Sequence, residues 1–126
     1  MDLKSLLVSQ ESVAEESVAK TLAGLVSIVT ETGEVLPLAA LGKLDESTRI
    51  LAYLLARRAA VTLGAAKIAA ASSENISASL GMDIQRVREH LSRGKKTFLN
   101  KTTEGYEMKV ARIPSACEEI DQRRKA

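Results

Sequence analysis

Aromatic residues are nearly missing from this chain: among 126 residues there are one Phe, two Tyr and no Trp. A core without large rings has to be filled by Leu, Ile, Val and Ala at the density of any protein interior. So much Ala points to closely packed helices. Cysteine occurs once, as Cys117, which excludes an internal disulfide and any zinc site built from cysteines. This usage fits a reducing, cytoplasmic setting. Histidine also occurs once, as His90, without the second imidazole or acidic cluster that a metal site needs. His90 is therefore expected to be a partly buried or surface side chain. Glycine-rich phosphate loops and the glycine spacing of dinucleotide sites are missing too, so no cofactor is expected. The opening residues Met1-Asp2-Leu3-Lys4 lack the basic start and long apolar run of a signal peptide. The most apolar stretch, Ile50 to Ala71, is interrupted by Arg57, Arg58 and Lys67 and does not read as a membrane span.

The charge is unevenly placed. Residues 1–48 hold eight acids against three lysines, whereas residues 49–126 hold fifteen bases against eight acids. A basic half is the footprint of a polyanion binder, although a solvated basic surface has the same composition.

Along the chain, Ser12-Val13-Ala14-Glu15 fits a capping box opening a helix over residues 12–23. Leu25–Val29 is rich in β-branched residues, Thr30-Glu31-Thr32-Gly33 is a turn signal, and Glu34–Leu38 is the returning strand. These read as a β-hairpin with Gly33 at positive φ. Pro37, lacking an N–H, places its strand at an edge. A long helix starts near Asp45 and Glu46, where acids complement the helix dipole, and ends near Leu63-Gly64. Its apolar residues cover most of its circumference, which makes it the central buried helix. Ala65–Ala71 fits either a continuation of that helix or a short strand. Arg57 and Arg58 are expected to be solvated or paired with the acidic N-terminal part.

The segment Ser73–Leu91 has a specific spacing. Ser72 or Ser73 caps a short helix, in which Ile76 and Leu80 share an inward face. Gly81 ends it in the left-handed conformation that glycine adopts cheaply. Met82 buries as the chain turns, and Asp83 caps a second helix whose core face is Ile84, Val87 and Leu91. Downstream, Tyr106–Val110 alternates as a half-buried strand should. Pro114 opens a final helix that contains Cys117 as a packing residue and ends in the basic tail Arg123-Arg124-Lys125. No arrangement of nucleophile and base is evident, so an enzyme is not expected.

On Ile76, Ser77, Leu80, Gly81, Met82, Val87 and Leu91, the chain resembles winged helix-turn-helix transcription regulators. The resemblance continues downstream, where Lys95–Lys101 looks like the chain leaving the second helix into a first wing strand, Thr102–Gly105 like the wing tip and Tyr106–Val110 like the returning strand. The likeness covers about residues 44–113. Two positions depart from the pattern. Ser77 stands where Ala is common, and Gly94 stands where a large apolar residue usually completes the second helix, so that helix is expected to end or kink there. The resemblance and the flanking signals together predict a mainly α fold with small β (α+β), in three parts: an acidic helix and hairpin at 1–43 for packing or dimerisation, the winged helix-turn-helix at 44–113, and a C-terminal helix with a basic tail at 114–126.

The resemblance also implies a small, nucleoid-associated regulator that binds double-stranded DNA as a homodimer, with the helix from Asp83 in the major groove. Gln85 and Arg86 are then placed for base edges and Glu89 for cytosine. Arg93, Lys95, Lys96 and Lys101 are placed for phosphates, and Ser73 and Asn75 for phosphates through free N–H groups. Two rival readings are a winged-helix interaction module in a larger assembly and a nonspecific architectural DNA-binding protein.

Overall fold

A computed structural model describes residues 15–95 and 97–125. The proposed capping residues Ser12–Ala14 and the candidate contact Lys96 lie outside the described residues. The described chain is mixed α+β, with five helices and two short antiparallel hairpins. Helix α1 covers residues 15–22. Strands β1 (Val26–Ile28) and β2 (Val35–Pro37) follow, then a 3-10 turn over Ala39–Lys43. Helices α2 (Glu46–Thr62), α3 (Ser73–Leu80) and α4 (Ile84–Gly94) come next. Strands β3 (Leu99–Thr102) and β4 (Gly105–Met108) lead through a short 3-10 turn into α5 (Ile113–Lys125).

Helix α2 is the hub, as its apolar circumference requires. Ile50, Leu51, Ala52, Tyr53, Leu54, Leu55, Ala56 and Ala60 are all buried along it. Both hairpins and helices α3, α4 and α5 pack around it. The acidic N-terminal hairpin thus has its packing partner within the chain: β1 and β2 rest on α2, with Val35 and Leu25 buried in the common core. Gly33 turns the hairpin at φ 74°, and β1 pairs only with β2, so Pro37 occupies an edge as its missing N–H demands. Helix α1 is held to the far end of the chain, where the Arg124 guanidinium donates to the Thr21 carbonyl at 2.6 Å. Cys117 is buried beside this contact, and burial pushes its thiol pKa up.

Helix α2 stops at Thr62, and the Ala-rich stretch after it does not extend it. Arg57 explains why. Its guanidinium reaches forward to donate to the carbonyls of Ile68, Ala69 and Ala70 at 3.3, 3.0 and 2.8 Å. An extended segment keeps these carbonyls available, whereas a helix would consume them. Ala71 then forms an antiparallel bridge with Tyr106, each N–H donating to the other's carbonyl at 2.9 Å. One residue therefore serves as a third strand beside the β3–β4 hairpin. Gly105 permits it: a Cβ there would run into the Ala71 carbonyl. The expected pairing of Arg57 and Arg58 with the acidic N-terminal part is corrected here. Arg57 holds backbone carbonyls, and Arg58 pairs with Glu107 on β4 at 3.0 Å, because both α2 side chains face the later segments of the chain.

Candidate nucleic-acid interface

Helices α3 and α4 are joined by Gly81, Met82 and Asp83. The Ser72 hydroxyl caps α3 by accepting from the Asn75 N–H at 3.1 Å. Gly81 ends α3 at φ 64°, a conformation that costs an L-residue roughly 1–2 kcal/mol. Met82 is buried, and the Asp83 carboxylate accepts from the Arg86 N–H at 3.3 Å to start α4. Ser77 has a role that its small size did not suggest: its hydroxyl donates to the Met82 carbonyl at 2.6 Å and ties the turn to the helix before it. The Tyr53 and Ser79 hydroxyls, 3.1 Å apart, join α2 to α3. With Ile76, Val87 and Leu91 fully buried, the rotation of α4 is fixed.

That rotation leaves Gln85, Arg86, Arg88, Glu89, Ser92 and Arg93 exposed along α4, followed by Lys95. Lys101 is exposed on β3, with its ammonium 6.0 Å from the centre of the Tyr106 ring, at the edge of cation–π range. Gln85, Arg86, Glu89 and Arg93 thus share one solvent-facing side, next to a hairpin that carries Lys101. Ser73 and Asn75 lie apart from it at the start of α3. The Asn75 N–H is already taken by Ser72. The Glu74 carboxylate bonds its own N–H and is held below the usual carboxylate range mainly by that bond. An anion at this helix start would meet engaged donors and a fixed negative charge.

The arginines of α4 are not equivalent. Arg86 donates to both carboxylate oxygens of Glu46 at 3.3 and 3.2 Å. Glu46 also lies 3.4 Å from His90 Nε2. The Arg86 hydrogen bond is the main reason that the Glu46 carboxyl sits below its ordinary pKa. Arg88 pairs with Glu74 at 3.3 Å. Among the described residues, Arg93, Lys95 and Lys101 make no ion pair. No acid occurs between residues 90 and 103, so the C-terminal end of α4 and the start of β3 form the basic part of this surface. At the hairpin tip, the Thr103 and Thr102 hydroxyls donate to the Glu104 carboxylate, and its pKa is held below the usual value chiefly by Thr103.

Sequence reasoning missed Glu46, Arg88 and Glu104 as members of this surface. Arg88 and Glu104 were legible in principle, from the helical wheel and the turn position. Glu46 was not, because 40 residues separate it from Arg86 and no local spacing links them. Among the described residues, no group of three or more His, Cys, Asp or Glu is placed to hold a metal ion, and no helix is long and apolar enough to cross a membrane. The chain matches no protein family, no curated protein and no solved structure.

Proposed function

We propose that residues 44–113 form a winged-helix module that binds double-stranded DNA and acts as a small transcription regulator. The observation that carries this reading is the order and locking of its parts. Helix α2, the single-residue strand at Ala71, the pair α3–α4 and the hairpin β3–β4 follow in the order of a winged helix, and the Ala71–Tyr106 bridge ties the hairpin to the segment that leads into α3. Helix α4 buries one face and leaves the other free for a major groove. Gln85 reads a base edge in this arrangement, Arg86 does so after leaving Glu46, and Arg93, Lys95 and Lys101 meet phosphates. Pairing of two such chains on a palindromic site belongs to the same reading, and sizing with and without DNA checks it.

A titration of a labelled random duplex, followed by anisotropy at several salt concentrations, tests the reading. Binding should weaken steeply with salt, with a log–log slope of about −0.9 for each phosphate contact. Absence of binding at low salt sinks it. One set of observations favours a protein-interaction module instead: Glu46 neutralises Arg86, Glu89 shares the exposed side of α4, and Glu104 puts a negative charge on the hairpin tip. That alternative predicts no salt-dependent DNA binding, so the same titration separates the two.

A further inference from the structure

Gly94 is the last residue of α4, and it is not among the glycines at positive φ. The backbone there needs no glycine. What Gly94 supplies is the lack of a side chain, and a hollow of about 280 Å³ opens beside it between α2, α4, the start of β3 and α5. A Cβ on residue 94 would come within 3.0 Å of the Leu99 side chain in the floor of this hollow. The floor is apolar: Ile50, Leu51 and Leu99 are buried, and Phe98 is half-buried. The rest of the lining is polar: the hydroxyl side chains Ser47, Thr48 and Thr97, and the ionisable His90, Arg93 and Glu119.

The ionisable groups are unequally available. Glu119 is engaged by Arg123 at 3.1 Å, and His90 lies against Glu46. Arg93 is exposed and makes no ion pair among the described residues. An apolar floor with one available guanidinium at its edge suits a molecule with a hydrocarbon body and a single anionic end. Ligand pockets run from about 300 to 1,000 Å³, so a hollow at the bottom of that scale takes a small occupant. We infer that the hollow beside Gly94 is a binding site for a small aliphatic carboxylate, with its chain on Phe98 and Leu99 and its carboxylate on Arg93. The site stands whether or not α4 binds DNA.

The test is a titration of hexanoate into the ¹⁵N-labelled full chain without DNA. The readouts are the Gly94 amide and the ring of Phe98, which is the only phenylalanine in the sequence. Saturable shifts confined to these residues and their neighbours are expected. Hexanol, with the same chain and no charge, should bind about tenfold more weakly, the share of one charge-assisted hydrogen bond. Arg93→Gln should bring hexanoate down to the level of hexanol, and Gly94→Val should abolish binding of both. If Gly94→Val does not fold, the Arg93→Gln comparison decides, because Arg93 is exposed and its loss spares the core. The inference is overturned by no saturable shift, by hexylammonium or hexanol binding as tightly as hexanoate, or by unchanged hexanoate affinity in Arg93→Gln.

Discussion

At the N-terminal end of α4, Arg86 and Arg88 are each held by a carboxylate from a neighbouring helix. At its C-terminal end, Arg93 and Lys95 have no such partner among the described residues, and Lys101 on β3 adds to them. One helix thus carries a neutralised end and a charged end. Winged helices read sequence with the N-terminal part of the recognition helix, and phosphates are met by whatever cations are free. Under the DNA-binding proposal, affinity on this surface would belong to the end that reads least, while the reading end would have to exchange an internal partner for a base. Exposed ion pairs are weak and screened by salt, so such an exchange is feasible.

The largest effect should come from removing what both ends share. Leu91 is fully buried under α4, and Leu91→Ala should cost about 2–5 kcal/mol of stability, read by denaturant unfolding, with both ends losing function together. A smaller and more local loss is expected from Gly105→Ala. The new Cβ meets the Ala71 carbonyl, so the bridge should open. On the DNA-binding proposal, affinity should then fall through loss of the Lys101 contact, while the amide signals of α3 and α4 stay in place. A shift throughout α4 would show that the hairpin and helix are not separable.

The comparison is sharpest in the salt slope. Arg93→Ala should reduce its magnitude by about one contact and weaken binding to all sequences alike. Arg86→Ala should leave the slope nearly unchanged and lower the preference among sequences. Equal slopes for the two variants would erase the distinction between the ends.

The smallest effect concerns Glu46. Glu46→Gln frees Arg86 and, on the DNA-binding proposal, should raise duplex affinity a few-fold, with a small loss of thermal stability at neutral pH. The pH dependence has a definite sign. The Glu46 pKa is lowered in the folded state from an ordinary value of 4.5. Its stabilising contribution is therefore complete above that value and lost as pH falls through the lower, folded value. The Tm gap between the native chain and Glu46→Gln should close well below pH 4.5 and reopen towards neutrality. A gap that widens in acid would refute the Arg86 tether.

Much of the helical frame was legible because its signals are local. The spacing of Ile76, Val87 and Leu91, the caps at Ser72 and Asp83 and the left-handed Gly81 all act within one or two turns. The course of residues 65–71 was not legible, since Ala favours a helix and the deciding contact comes from Arg57, a residue of the preceding helix. The rotation of α4 was readable from its apolar positions, and so was the exposure of Gln85, Glu89 and Arg93. The state of its charges was not, because Glu46 and Glu74 reach them from other helices. Gly94 was visible as a break in pattern. That the break leaves a hollow beside α4 depends on where α2, β3 and α5 converge, which no spacing encodes.

The grip of Arg57 on the carbonyls of Ile68, Ala69 and Ala70 has a consequence for how the molecule opens. The guanidinium is rooted in the central helix and holds the three residues that lead into Ala71, the residue the outer hairpin pairs with. The hairpin's bridge is therefore wired to the buried central helix. The amide protons of Ala71 and Tyr106 should exchange with solvent on the slow timescale of α2, and Arg57→Lys should move them into the fast class of a fraying edge.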